Sequence, residues 1–338
     1  MQKNIINNLT AVTIGDIKGI GIQILINAWK RKKIRDFFLI INYKLFNKFI
    51  IEKQISLKVN QCTITNNKIS FNKNSFNVFN IQATNDNQNT LNSLLESYKL
   101  VKKKFFMGLV TLPVNKKKMS TVNSKFIDQT TFFTKIDKKT ISNMIFIYKN
   151  IYFVPLTIHI EIKKVSNVFK KTNNIVRKIE SINQVMIRDF GIRKPKLIMA
   201  GINPHNGENG IISKEDERFL IPIIKKLKKL QIDIIGPISP DAMINNVNLN
   251  NFNCFIFTYH DQALIPFKLI SDYSGVNFTS NLDIIRVSPD HGTAYDIVGS
   301  KKISPYGVIN SFKLLKKISL NRNKYESTQK ISRSKFSV

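Results

Sequence analysis

Short apolar runs that end in loops carrying glycine, proline or asparagine recur along this chain, and they leave few folds open. Leu9 to Ile14, Phe37 to Asn42, Phe105 to Val110, Lys196 to Ala200, Ile232 to Ile235 and Cys254 to Phe257 are too short for helices and read as buried strands. Between them, Ile22 to Trp29, Thr90 to Lys102, Ile162 to Asp189 and Glu215 to Leu230 carry apolar residues at helical spacing. Strands that alternate with helices imply an α/β fold. Met144 to Tyr148 and Tyr152 to Leu156 are expected to pair, and the polar stretch from Glu52 to Asn89 to hold hairpin-like strands at Cys62 to Ile64 and Phe76 to Ile81. A chain of 338 residues is expected to form two domains.

The formal net charge of +31, from 53 basic and 22 acidic residues, raises nucleic acid as a partner. The lysines, however, lie in runs such as Lys102 to Lys104, Lys116 to Lys118 and Lys225 to Lys229, beside apolar residues and without interleaved aromatics or arginines. Asn, Ile and Phe are abundant as well, as adenine- and thymine-rich codons would make them, so the charge is read as codon bias on solvated faces and nucleic acid is not expected. Cys62 and Cys254 lack any CxxC spacing, which points away from zinc ribbons and disulfide frameworks. No apolar run approaches the 18 or so residues of a membrane span, and the N-terminus lacks a signal-peptide layout; a cytoplasmic protein without a membrane partner is expected.

Polar clusters sit where strands end, and in open α/β sheets such loops bind ligands. Tyr259-His260-Asp261-Gln262 follows the strand Cys254 to Phe257, and Asp290-His291-Gly292-Thr293-Ala294 forms a small turn before a helix-like run. Gly15, Gly19 and Gly21 make a turn spaced GxxxGxG, which differs from the dinucleotide fingerprint. Pro113 leaves Asn115 and Lys116 in a loop. His159, His205, His260 and His291 each follow a strand or lie in a glycine-bearing turn. Singly, each reads as a structural or surface histidine before a ligand. Three imidazoles converging from separate strand ends would make a catalytic metal site with an open position.

GINPHNGE (201 to 208), GPISPD (236 to 241), YHDQALIPFK (259 to 268), GVN (275 to 277) and IIRVSPDHGTAYDIVG (284 to 299) resemble, in order and spacing, the blocks of the 4-hydroxythreonine-4-phosphate dehydrogenase family of pyridoxal phosphate biosynthesis. TIGDIKGIGIQI (13 to 24) and VTLPVNK (110 to 116) resemble its opening turn and next loop more loosely. The resemblance implies two α/β domains of the isocitrate/isopropylmalate dehydrogenase-like type, with an active-site cleft between them. Residues 1–130 plus 295–325 would form the first, 131–294 the second, carrying the metal ligands and the dimer interface, and 326–338 a basic tail. It implies that His159, His205 and His260 bind a divalent metal, zinc before magnesium or cobalt, in a homodimer with a shared active site. A small phosphorylated hydroxy-amino-acid would meet Gln129, Thr130, Asp241, Lys268, Asn277 and Arg286. Lys268 and Asp261 would be catalytic, and Asp290, His291, Gly292, Thr293, Ala294 and Asp296 would bind NAD without a GxGxxG motif. The implied reaction oxidises 4-phosphohydroxy-L-threonine with NAD and decarboxylates it to 3-amino-2-oxopropyl phosphate.

Other readings of single residues stand beside these. Arg286 could be a structural ion-pair partner, Asn277 a turn residue, and His291 could act through its backbone or by stacking. The family's Gly-His-Thr-Glu block is replaced by Asp128-Gln129-Thr130-Thr131, so an amide stands where a histidine contacts substrate. Leu112 replaces a glycine and Asp283 a proline. Drift is one explanation; altered substrate binding is the other, and it leaves open a paralogue acting on threonate or erythronate 4-phosphate. From a different class, a basic nucleic-acid-binding protein rests on the net charge alone.

Overall fold

The computed structural model describes residues 8–62, 64–65, 68–300 and 303–335. Its strands, in chain order, are β1 (Thr10–Thr13), β2 (Phe37–Ile41), β3 (Val59–Cys62), β4 (Ile64–Thr65), β5 (Lys68–Ile69), β6 (Phe76–Asn80), β7 (Gly108–Thr111), β8 (Met144–Tyr148), β9 (Ile151–Thr157), β10 (Leu197–Ala200), β11 (Ile234–Ile238), β12 (Cys254–Tyr259), β13 (Val276–Thr279) and β14 (Arg286–Pro289). The chain folds into two compact units, one running through Lys138 and resuming at Leu282–Ser319, the other comprising Lys139–Asn281 and the stretch that begins at Leu320. Crossings expected near residues 130 and 295 thus fall after Lys138 and before Leu282, and Arg286 and the loop 290–294 lie in the first unit.

In the first unit the strand order is β14-β7-β1-β2-β6-β3, every pair parallel. β1, β2 and β7 are buried along their whole length, which is why they read as continuous apolar runs rather than alternating ones. Phe38, Leu94, Phe106, Leu109 and Phe133 pack in its core. The expected hairpin of the polar stretch is instead a parallel pair, β3 beside β6, because the intervening chain makes its own antiparallel β4–β5 ribbon before returning. Asparagine abundance has a structural use here. Asn42, Asn85 and Asn115 cap helices Tyr43–Glu52, Asp86–Lys102 and Lys116–Val122 by accepting from backbone N–H groups three residues on. Lys116, expected in a loop, therefore opens a helix.

The second unit orders its strands β11-β10-β12-β9-β8-β13. β11, β10, β12 and β9 run parallel, whereas β8 is antiparallel to both β9 and β13. Phe153 is the hub of its core, with ring centroids 5.2 Å from Phe255, 5.0 Å from Phe257 and 5.8 Å from Phe267. The single helix expected over Ile162 to Asp189 divides into Val165–Phe169 and Thr172–Arg188. The step from Phe169 to Ile175, both buried, breaks the three- and four-residue spacing that one continuous helix face requires. No helix among the described residues is long and apolar enough to cross a membrane.

Residues from 326 on, expected as a loose tail, continue the helix Tyr306–Lys335 as far as Lys335. Within the second unit that helix is docked through Asp189, whose buried carboxylate accepts from Arg322 Nε at 2.8 Å and Arg188 Nε at 2.6 Å, while Asn321 Nδ2 donates to its backbone carbonyl at 2.9 Å. Burial alone would raise the Asp189 carboxyl, but the hydrogen bonds and charges of Arg188 and Arg322 outweigh it and hold the group below the ordinary carboxylate value. A lowered folded value stabilises the fold above the unfolded value near 3.9, and that contribution is lost as pH falls through the folded value. Asp189→Asn is therefore expected to cost about 3 kcal/mol at pH 7 in urea melts, with the gap to wild type narrowing as pH falls below the unfolded value near 3.9. A gap that stays constant from pH 7 to pH 3 would contradict the docking.

Candidate active site

In the second unit, two histidines meet because their strands are neighbours. β9 and β12 run parallel with Thr157 opposite Tyr259, so the residues just past their carboxyl ends emerge side by side. Thr157 Oγ1 ties the two ends by donating to the Thr258 carbonyl at 2.7 Å. Lys178 Nζ holds the preceding Leu156 carbonyl at 2.6 Å, and burial pushes this amine down to about 8. His159, in left-handed conformation, and His260, the first residue of helix His260–Ser271, place their ring centroids 5.6 Å apart beside a hollow of about 310 Å³. Asp261 Oδ1 lies 2.6 Å from His260 Nδ1, so the carboxylate accepts from that nitrogen and fixes the Nδ1–H tautomer.

His205 belongs to a different hollow. It follows β10 in a loop where residues 205–209 all have left-handed backbone angles, and it lines a cavity with Asn206, Gly236 and Pro237. The loop is held by Asp216, which accepts from the Ile202 and Asn203 N–H groups at 2.7 and 3.2 Å, and by Asn206 Nδ2 donating to the Pro237 carbonyl at 2.9 Å. Gly207 is required there: at φ 76° a side chain would be strained, and a Cβ would overlap the Ser213 carbonyl. Gln262 links this loop to the His260 turn, donating to the Gly201 carbonyl at 2.9 Å and accepting from the Thr258 N–H at 2.8 Å. Among the described residues, no three His, Cys, Asp or Glu side chains are gathered so as to hold a metal.

The other expected residues of this unit lie on three different elements. Asp241 is fully exposed; the Ser239 hydroxyl that donates to it, nearby backbone N–H groups and the charge of His205 hold its carboxyl low. Lys268 lies two turns along the helix from His260 and stacks over the Tyr273 ring at 5.7 Å. Asn277 on β13 pairs with Phe146, and its Oδ1 is buried with no hydrogen-bond partner among the described residues. A buried acceptor of this kind expects a donor from elsewhere.

The first unit holds a buried cation. Arg286, at the start of β14 and 3% exposed, donates from Nε and Nη2 to Thr111 Oγ1 at 3.0 and 2.7 Å, from Nη1 to Thr130 Oγ1 at 3.3 Å and from Nη2 to Gln129 Oε1 at 2.7 Å. Burial pushes the guanidinium down to about 10, partly offset by the Asp128 charge, so it stays positive at neutral pH. Asp128 also caps helix Gln129–Ile136, accepting from the Thr131 N–H and hydroxyl at 2.9 Å each. Its negative charge is thus engaged by a helix end and by Arg286.

The loop 290–296 rests on residues that sequence reasoning missed. Tyr295 Oη donates to Asp16 Oδ2 at 2.5 Å and accepts from Asn115 Nδ2 at 2.9 Å, while Lys118 Nζ reaches Asp16 Oδ2 at 2.9 Å. Burial alone would raise Asp16, but these hydrogen bonds hold it low. Gly19 allows the approach: the Ile20 N–H donates to the Thr293 carbonyl at 2.9 Å, and a Cβ on Gly19 would lie 2.9 Å from that oxygen. Only the turn Tyr295–Ile297 follows, not the expected helical run, since Gly299 at φ 88° breaks the chain direction. His291 Nδ1 lies 3.0 Å from the Gly292 carbonyl, and a Cβ on Gly292 would meet nothing within 4 Å, so space beside it is open to a ligand. The sequence signal for Asp16 was its place inside the GxxxGxG turn; Tyr295 and Lys118 carried none.

A family model described as pyridoxal phosphate biosynthetic protein PdxA matches residues 33–315. A 4-hydroxythreonine-4-phosphate dehydrogenase of Zymomonas mobilis is 32% identical over 330 residues, covering 93% of this chain and 97% of its own length. One from Sulfurihydrogenibium sp. is 29% identical over 316 residues, covering 90% and 96%. A D-threonate 4-phosphate dehydrogenase of Pectobacterium atrosepticum is 29% identical over 207 residues, covering 61% and 63%. In fold, a crystal structure of 4-hydroxythreonine-4-phosphate dehydrogenase from Klebsiella pneumoniae superposes with a TM-score of 0.78 at 23% identity, over 92% of this chain and 99% of that one.

Tyr295→Phe removes the hydroxyl shared by Asp16 and Asn115. Hydrogen exchange of the 290–299 amides is expected to speed up by about tenfold or more, as loss of a charge-assisted hydrogen bond implies; unchanged protection would show that the loop is held by other contacts.

Proposed function

The chain belongs to the pyridoxal phosphate biosynthetic protein PdxA family, and from that premise we propose that it is an NAD-dependent 4-hydroxythreonine-4-phosphate dehydrogenase. It oxidises 4-phosphohydroxy-L-threonine, with decarboxylation to 3-amino-2-oxopropyl phosphate. The observation that carries this reading is the His159–His260 pair, with Asp261 on His260 Nδ1, in a chain covered almost end to end by relatives named for that activity.

The pair suits a divalent ion, zinc first, because two imidazoles with one Nδ1 fixed by a carboxylate are a recurrent donor set. His205 is the third ligand of the proposal. Since it faces a different hollow in its own chain, we assign the complete set to a homodimer in which a second copy supplies what one chain leaves apart. When bound, the ion stabilises charge developing on the substrate's alcohol oxygen, and NAD accepts the hydride. The remaining contributions come from the chain. Asp261 holds the His260 tautomer, which places it one step behind the ligand and not at the substrate. Arg286 and Lys268 offer positive charge to the anionic groups of the substrate, and the buried Asn277 Oδ1 accepts from its donors. Asp241, and Thr130 beside Arg286, complete the substrate-binding set. Asp290 to Ala294 and Asp296 receive NAD beside the open face of Gly292, braced by Asp16.

A second reading, oxidation of D-threonate 4-phosphate, is favoured by the Pectobacterium relative and by Gln129. Turnover decides: metal-loaded protein with NAD is expected to produce NADH faster with 4-phosphohydroxy-L-threonine than with D-threonate 4-phosphate. The reverse order favours the second reading, and NADH from neither substrate rejects both. Asp261→Asn is expected to weaken metal binding by about 10- to 100-fold, measured by competition with a chelating dye; unaltered affinity would remove Asp261 from the account.

A further inference from the structure

The carboxamide of Gln129 is engaged at both ends. Oε1 accepts from Arg286 Nη2 at 2.7 Å, and Nε2 donates to the Leu112 carbonyl at 2.9 Å. The partners dictate this orientation, because a guanidinium offers only N–H groups and a carbonyl only lone pairs. A glutamate here would set an oxygen against the Leu112 carbonyl. A protonated histidine would set an N–H against the guanidinium. A neutral amide satisfies both partners at every pH. Elsewhere Arg286 donates to Thr111 and Thr130, and Phe133 lies under the guanidinium with its ring centroid at 5.7 Å. Gln129 is half-buried where Arg286 is buried, so it closes the outer side of the enclosure.

We infer that Gln129 is a positioning residue, which fixes the plane of the Arg286 guanidinium with Leu112 as its anchor and sets affinity for the phosphorylated substrate through Arg286. This departs from the direct substrate contact that the family resemblance implies for the position, and it rests on the proposed function of Arg286. Because the amide does not titrate, this wall presents the same charge throughout the neutral range.

A double-mutant cycle tests it on the full-length, metal-loaded protein with Gln129→Ala, Arg286→Lys and the pair. Gln129→Ala is expected to raise KM for the phosphorylated substrate by about tenfold, with kcat and the KM for NAD changed by less than about twofold. The double variant is expected to be no worse than Arg286→Lys alone. Additive effects would show that Gln129 meets the substrate itself and overturn the proposal. Gln129→His gives an independent sign: its KM relative to wild type is expected to worsen from pH 8 to pH 6, as the imidazolium loses its acceptor for Arg286, whereas improvement in acid would mean a direct cationic contact. If Arg286→Lys does not fold, this pH ratio decides. If the wild type turns over neither phosphorylated acid, the functional reading fails, and the clamp is judged from melting of the same proteins, where additive losses of Gln129 and Arg286 would overturn it.

Discussion

The parallel pairing of β9 with β12 is the constraint on which the second unit's chemistry depends. Its register, from Tyr152 opposite Cys254 to Thr157 opposite Tyr259, fixes where both strands stop, and so fixes where His159 and His260 emerge. The register is itself fixed from below, since Phe153, Phe255 and Phe257 interlock on one face and a slip of one residue would turn that face outward. Burying three phenylalanines, each about 2 kcal/mol or more, outweighs the cost of holding His159 in a left-handed conformation at the rim. The polar layer above follows from that base. Thr157 and Gln262 tie strand end to strand end, and Asp261 settles which nitrogen of His260 carries the proton.

The first unit solves a different problem, a permanent charge with little access to water. Arg286 is surrounded by Thr111, Thr130 and Gln129, with the Asp128 carboxylate in its field. Desolvation lowers the guanidinium without neutralising it, so the unit holds a positive charge whose direction is set by neutral oxygens. An anion that reached it would find a cation already desolvated and oriented, which strengthens the attraction and avoids reorganisation on binding. Asp16, Lys118 and Tyr295 do the corresponding work for the 290–296 loop by joining three separate chain segments through one carboxylate oxygen.

Strands were the most legible part of the sequence, because burial on both faces leaves uninterrupted apolar runs such as Phe37 to Ile41. Direction was not legible: alternation in the Glu52 to Asn89 stretch is the same for a hairpin and for an edge pair, and only the β4–β5 ribbon makes β3 and β6 parallel. β14 escaped notice because Arg286 opens it, and a charge in a strand is expected only where partners such as Thr111 exist. The tail was misread for the opposite reason, since polar composition does not stop a helix already anchored at Asp189 by Arg322. The histidines were legible as strand-end residues, but their grouping was not: His159 and His260 share a hollow and His205 lines another. Gln129 was visible as a departure, and its engagement with Arg286 and with the Leu112 carbonyl arises only in the fold.

In the proposed function, the strand ends that carry His159 and His260 hold a metal. X-ray absorption at the zinc edge of zinc-loaded, full-length protein tests it most directly. The expected spectrum has nitrogen or oxygen neighbours at about 2.0–2.1 Å with imidazole outer-shell scattering, lost in His159→Ala and in His260→Ala. Sulfur at about 2.3 Å, or imidazole scattering that survives both substitutions, would contradict it.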